Sequence, residues 1–151
     1  MCYLIATFIL FLDQLSKLCA QKFILQGSSI PIAKNIFHLT LVYNTGAAFG
    51  VLGRHSYLFV AVSLLAVVVI NYFLLKKSNI LNSAERIALS FIMGGTLGNL
   101  IDRVRLGYVT DFLDFRVWPV FNLADSFITI GAFVLGWAIL RAAKIRKEGT
   151  S

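Results

Sequence analysis

Five of the seven acidic residues in this chain are aspartates, Asp13, Asp102, Asp111, Asp114 and Asp125, and each stands within or beside apolar sequence. Carboxylates brought close together in a partly dry setting cannot all ionise easily, so a pair comes to share one proton. Such a pair can activate water and protonate a leaving group. Polar residues able to orient a carboxylate pair occur in the same stretches: Lys17, Asn44, Asn99, Arg103 and Asn122.

Most of these residues also have a local structural reading. Asp13 is one helical turn from Lys17 and can be its buried ion-pair partner, and Asn99 and Asp102 share a helix face, where Asp102 can neutralise Arg103 or Lys17. Asn122 and Asp125 have the spacing of a helix N-cap and its N3 acid. Asp114, beside Arg116, reads as a solvated or ion-paired rim residue. Asp111 has no such local role. Other chemistries lack their residues. His38 and His55 are far apart in sequence, with no His-Glu-x-x-His or paired-cysteine spacing, and Gly94-Gly95 is not followed by the Gly-Lys-Ser of a phosphate loop. Ser16 and Lys17 are adjacent and point in different directions on a helix, and Ser126 has no neighbouring lysine. No metal or other cofactor is expected.

The elements that position these groups follow from composition. Of 151 residues, 58% are hydrophobic and 14% charged, too apolar a balance for a water-soluble domain. A bilayer core of about 30 Å needs about 20 apolar residues in a helix. Four segments qualify, near 3–20, 57–75, 87–104 and 123–140. The expectation is an all-α membrane protein, a single integral membrane domain over 1–151 with four transmembrane helices. A small extracytoplasmic platform containing β structure is expected between the first two, because Phe37-His38-Leu39-Thr40-Leu41-Val42-Tyr43 alternates at period two. Gly94, Gly95 and Gly98 would let helix backbones pack closely in the third span.

A formal charge of +7 would suggest nucleic acid in a soluble protein, but here the cations flank apolar spans, where they mark orientation and lipid headgroup contact. Nucleic acid is not an expected partner. Lys76, Lys77 and Arg86 between the second and third spans, and Arg141, Lys144, Arg146 and Lys147 after the fourth, place both termini in the cytoplasm. All five aspartates, and Asn44, then gather toward the extracytoplasmic face. Cys2 and Cys19 lie near opposite ends of one helix, about 25 Å apart at 1.5 Å per residue, too far for a disulfide. Asp13 and Lys17 interrupt the first apolar run, which is therefore expected to be retained as a span and not removed as a signal peptide. Intramembrane ionisable residues also mark ion paths, so a small proton-coupled transporter or channel component is the alternative. A path would spread polar groups through the membrane depth, whereas these cluster at one face.

The chain resembles bacterial lipoprotein signal peptidase, also called signal peptidase II, through five motifs in order: Asp13-Gln14-x-x-Lys17, Asn44-x-Gly46-Ala47-Ala48-Phe49-Gly50, Gly95-x-x-Gly98-Asn99-x-x-Asp102-Arg103, Val109-x-Asp111-Phe112 and Phe121-Asn122-x-Ala124-Asp125-Ser126. The resemblance implies an aspartic endopeptidase of the bacterial cytoplasmic membrane that cuts prolipoproteins just before a diacylglyceryl-modified cysteine. It further implies Asp111 and Asp125 as the catalytic pair. Asn44, Asn99, Arg103 and Asn122 would bind substrate backbone or orient the pair, and Asp13 and Lys17 would brace the site. The partners implied are diacylglyceryl prolipoproteins and membrane phospholipid, with a monomer as the expected state. The connection 37–50 would close over the substrate, and small residues in the third span would leave room for lipid. Thr110 departs from the second valine of the family's Val-Val-Asp-Phe element.

Overall fold

The computed structural model describes residues 1–46, 56–77 and 79–148. The elements run α1 (Cys2–Phe23), β1 (Ser29–Ala33), β2 (Phe37–Asn44), α2 (Ser56–Lys76), α3 (Ser83–Leu106), β3 (Val109–Asp114) and α4 (Leu123–Glu148).

On α1 the buried residues are Ala6, Ile9, Asp13, Lys17 and Ala20, spaced three or four apart so that they form one face. Leu4, Phe8, Phe11, Leu15 and Leu18 point outward and are exposed, as are Val62, Leu65, Val68 and Leu75 on α2. Apolar surface on this scale is compatible with lipid rather than water, and the protein is an integral membrane protein. Asn71, the polar residue inside the otherwise apolar α2, accepts a hydrogen bond from the Tyr3 hydroxyl at 2.7 Å.

The expectation of four spans is only partly met. Helices α1, α2 and α4 are long and apolar enough to cross a bilayer, and α3 is long enough but too polar by the same measure. The reason lies in its position. Helix α3 packs against α1, α2 and α4, so its surface is largely covered by protein and has no need of lipid-facing residues. It begins with a capping box, Asn82 Oδ1 accepting the Glu85 N–H and Glu85 accepting the Asn82 N–H, and ends at Gly107, whose φ of 79° suits a glycine and closes the helix onto the Arg103 carbonyl. A Cβ at Gly94 would strike the Ala6 carbonyl of α1, one at Gly95 the Ala124 carbonyl of α4, and one at Gly98 the Asp13 carboxylate. These glycines are filled against protein and leave no room for lipid, contrary to the expectation from the family.

The platform also differs from expectation. The strand expected at 37–43 is β2, but it is the centre of a three-stranded antiparallel sheet ordered β1-β2-β3. The third strand comes from the connection between α3 and α4, which reads as a loop in sequence, so the platform is not built between the first two helices alone. Leu41 and Phe112 seat the sheet on Ala20 and Ile24 at the end of α1. A bridge between Leu113 and Phe121 then straps the start of α4 to β3, with Phe121 N–H bonded to the Leu113 carbonyl at 3.0 Å. Of the connection expected to close over substrate, residues 47–50 lie outside the described residues.

Candidate active site

The polar residues converge where the C-terminal ends of α1 and α3, the N-terminus of α4 and strand β3 meet. Lys17 is at the centre of the deepest part. Its ammonium stands 2.9 Å from Asp13 Oδ2, 3.0 Å from Asp102 Oδ2 and 2.9 Å from Asn99 Oδ1, with the side chains of all three charged residues at most 5% exposed. Burying one cation with two carboxylates is tolerable only where further hydrogen bonds satisfy the oxygens. They do. Asp13 Oδ1 accepts the Ala124 backbone N–H at 2.9 Å, Asp102 Oδ2 accepts that of Thr110 at 3.0 Å, and Gln14 donates to Asp102 Oδ1 at 3.0 Å.

Asp111 and Asp125 stand above this cluster, linked through Asn122. The strap between Phe121 and β3 brings Asn122 beside Asp111, where its side-chain amide donates to Asp111 Oδ1 at 2.7 Å and to Asn99 Oδ1 at 3.1 Å. Asn122 Oδ1 accepts the Asp125 backbone N–H at 2.9 Å, and Asp125 Oδ2 accepts the Asn122 N–H at 3.3 Å, the reciprocal cap expected from their spacing. Asn99 donates to Asp125 Oδ1 at 2.7 Å. Asn44, at the end of β2, donates to Asp111 Oδ2 at 2.9 Å, and its own oxygen receives the Gly46 N–H at 2.9 Å. The amide orientations are thus dictated by groups that can only donate, backbone N–H for Asn44 and Asn122 and the Lys17 ammonium for Asn99. Arg103 contacts the Asn99 carbonyl, lies over the Phe59 ring at 5.2 Å and adds positive charge near Asp125, Asp111 and Asp102.

Asp111 is 1% exposed. Burial pushes its carboxyl up to about 6, and the nearby Asp125 charge adds to this against the amide hydrogen bonds from Asn44 and Asn122 and the Lys17 charge. Two carboxylates are therefore held at one site, one of them keeping its proton well above the usual carboxylate range, to about 6. That is the arrangement needed to activate water and protonate a leaving group.

The sequence profile of the family described as Signal peptidase (SPase) II matches residues 5–141. The chain belongs to the signal peptidase II family. Among its relatives, the lipoprotein signal peptidase of Caldanaerobacter subterraneus subsp. tengcongensis is 45% identical over 147 residues, covering 97% of this chain and 100% of the relative. That of Halothermothrix orenii is 48% identical over 136 residues, covering 89% and 92%. A solved structure described as a bacterial membrane enzyme superposes with a TM-score of 0.85 at 32% identity, covering 94% of this chain and 88% of that one. Members of the signal peptidase II family are aspartic peptidases, and the chain is an enzyme of that kind.

Each residue expected at the site is in this one assembly. Asp102, read in the sequence as a partner of Lys17 or Arg103, pairs with Lys17, and Gln14, assigned no role from the sequence, donates to Asp102 and so completes the cluster. Thr110, the departure from the family's valine, is fully buried, and its hydroxyl accepts from Gln21 at 2.7 Å, so the change is satisfied within the structure. Asp114 is ion-paired to Arg116 at 2.9 Å as expected, but it is buried at the end of β3 and also accepts from Thr40, so it is not a solvated rim residue. An apolar cavity of about 410 Å³, bounded by Phe115, Trp118, Phe121, Thr129 and Ile130, opens beside Asp125.

Proposed function

We propose that Asp111 and Asp125 are the catalytic pair of a membrane-embedded endopeptidase that removes signal peptides from bacterial prolipoproteins, cutting N-terminal to the diacylglyceryl-modified cysteine. The observation that carries the reading is Asn122, which donates to Asp111 while exchanging cap hydrogen bonds with Asp125, so that one residue holds both carboxylates.

Asp111, the more enclosed carboxyl, carries the shared proton. Asp125 is the general base; its carboxylate accepts from the Asn99 amide and stands in the first turn of α4. Asp125 draws a proton from water as the oxygen attacks the scissile carbonyl carbon. Asp111 donates its proton to the carbonyl oxygen, giving a neutral tetrahedral diol. Asp111, now ionised, takes a proton back from a diol hydroxyl as the C–N bond breaks, and Asp125 passes its proton to the leaving cysteine nitrogen. The pair ends with one proton, as it began, and no covalent intermediate forms.

The cavity beside Asp125 would receive an apolar part of the lipidated substrate, and phospholipid would cover the exposed leucines and phenylalanines of α1. Helix α3 serves as the fourth span, shielded by the other three. Both termini face the cytoplasm and the site faces outward, which follows from the cations between α2 and α3 and after α4. The test is to incubate detergent-solubilised protein with the same prolipoprotein with and without the diacylglyceryl group and identify products by mass spectrometry. Cleavage of the lipidated form alone, leaving the modified cysteine as the new N-terminus, is expected. Equal cleavage of both forms, or cutting elsewhere, would overturn the reading.

A further inference from the structure

We propose that Lys17 is a positioning residue that fixes Asp111 and Asp125 relative to one another; this rests on the reading of those two as the catalytic pair. A lysine ammonium has three N–H donors. The partners of Lys17 are Asp13, Asp102 and Asn99, and from each a further hydrogen bond leads to the pair. Asp13 holds the backbone N–H of Ala124, the residue just before Asp125, at 2.9 Å. Asp102 holds the backbone N–H of Thr110, the residue just before Asp111, at 3.0 Å. Asn99 reaches the Asp125 carboxylate itself at 2.7 Å.

Asp111 belongs to a sheet seated on the end of α1, and Asp125 to the first turn of a helix packed on α3. Lys17 joins them through a second set of hydrogen bonds beside those of Asn122, by way of Asp13, Asp102 and Asn99. Without the ammonium, Asp13 and Asp102 would be two buried carboxylates facing a common empty point. They would separate or one would take up a proton, and either change moves the acceptor that holds Ala124 or Thr110. Gly98 is part of the same device, because only a residue without a Cβ lets Asp13 stand where Lys17 can reach both acids.

This role is distinct from bracing of the fold, and the difference is measurable. Lys17→Met leaves two buried carboxylates unpaired and can fail to fold. The deciding variant is therefore Asp13→Asn, Lys17→Met, Asp102→Asn together, which removes all three charges and keeps oxygens facing Ala124 and Thr110. Steady-state cleavage of a diacylglyceryl prolipoprotein is compared for parent, triple variant, Asp111→Asn and Asp125→Asn, with thermal unfolding followed for each. The expected result is a folded triple variant whose kcat falls about 10²-fold, the size of effect that misplaced catalytic groups produce, with KM changed less than threefold. The pH profile of its residual activity should also shift, because the charges of Lys17, Asp13 and Asp102 beside the pair are gone. A triple variant with kcat and pH profile like the parent, or one losing activity only in step with lost folded protein, would overturn the proposal. Unimpaired cutting by Asp111→Asn or Asp125→Asn would instead overturn the assignment of the pair.

Discussion

Asn122 gives its side-chain amide to Asp111 Oδ1 at 2.7 Å, and the same side chain caps α4 by accepting the N–H of Asp125. The strap between Phe121 and Leu113 makes this possible by bringing the start of a helix against the middle of a strand. One asparagine thus performs a structural task and sets the geometry of both carboxylates.

Asn122→Asp separates these tasks. The new carboxylate can still cap the Asp125 N–H, but it faces Asp111 and Asn99 Oδ1 with an acceptor where a donor stood. Folding is expected to persist in a thermal-unfolding assay, while the cleavage rate falls by about 10²-fold or more, the range associated with disturbed acid–base groups. Asn122→Ala is expected to lose the same activity and about 1 kcal/mol of stability from the lost cap.

The raised Asp111 carboxyl has two pH consequences. If Asp111 holds the catalytic proton, kcat/KM falls as pH rises through about 6. In kcat the limb lies higher, because bound substrate excludes more water. For stability the sign follows from proton binding. The folded protein keeps a proton on Asp111 above the ordinary value of 3.8, so this contribution is present below that value and is lost as pH rises through about 6. The change is on the order of 3 kcal/mol. Asp111→Asn is expected to flatten this part of the stability–pH curve, measured by denaturation in detergent between pH 4 and 7.

Glycines offer a paired test of packing. Gly98→Ala would drive a methyl into the Asp13 carboxylate, and a loss of about 1–3 kcal/mol is expected from overpacking. Gly136, in α4, has nothing near the position of an added Cβ. Gly136→Ala is expected to be neutral or to stabilise by up to about 1 kcal/mol through helix propensity. Thermal unfolding of both variants beside the parent checks the contrast.

Asp114→Asn should retain most cleavage activity. Asp114 accepts from Thr40 and Arg116 and ties β3 to β2, and no hydrogen bond joins it to Asp111 or Asp125. Its removal acts on the sheet, so a modest fall in unfolding temperature with little change in kcat is the expected outcome.

The sequence carried the site further than the fold. Capping at Asn122 and Asp125, and pairing of Asp13 with Lys17, are local relations read from spacing, and both are present. Asp111 was distinguished by having no local partner, and its actual partners, Asn44 and Asn122, are 67 and 11 positions away. Strand β3 was missed because every residue but Leu113 in Val109–Asp114 is buried, which erases the alternation that revealed β2. Strand β1 was missed because it is a short edge strand containing Pro31, fully exposed along its length. The polar character of α3 likewise reflects its neighbours, which no window of its own sequence contains.

The most direct test of the central claim is the single-turnover cleavage rate of a diacylglyceryl prolipoprotein by Asp111→Asn and by Asp125→Asn, each confirmed folded, against the parent. Both rates should fall by about 10²- to 10⁴-fold, the range of acid–base catalysis. A folded variant of either residue that cuts at the parental rate would contradict the assignment.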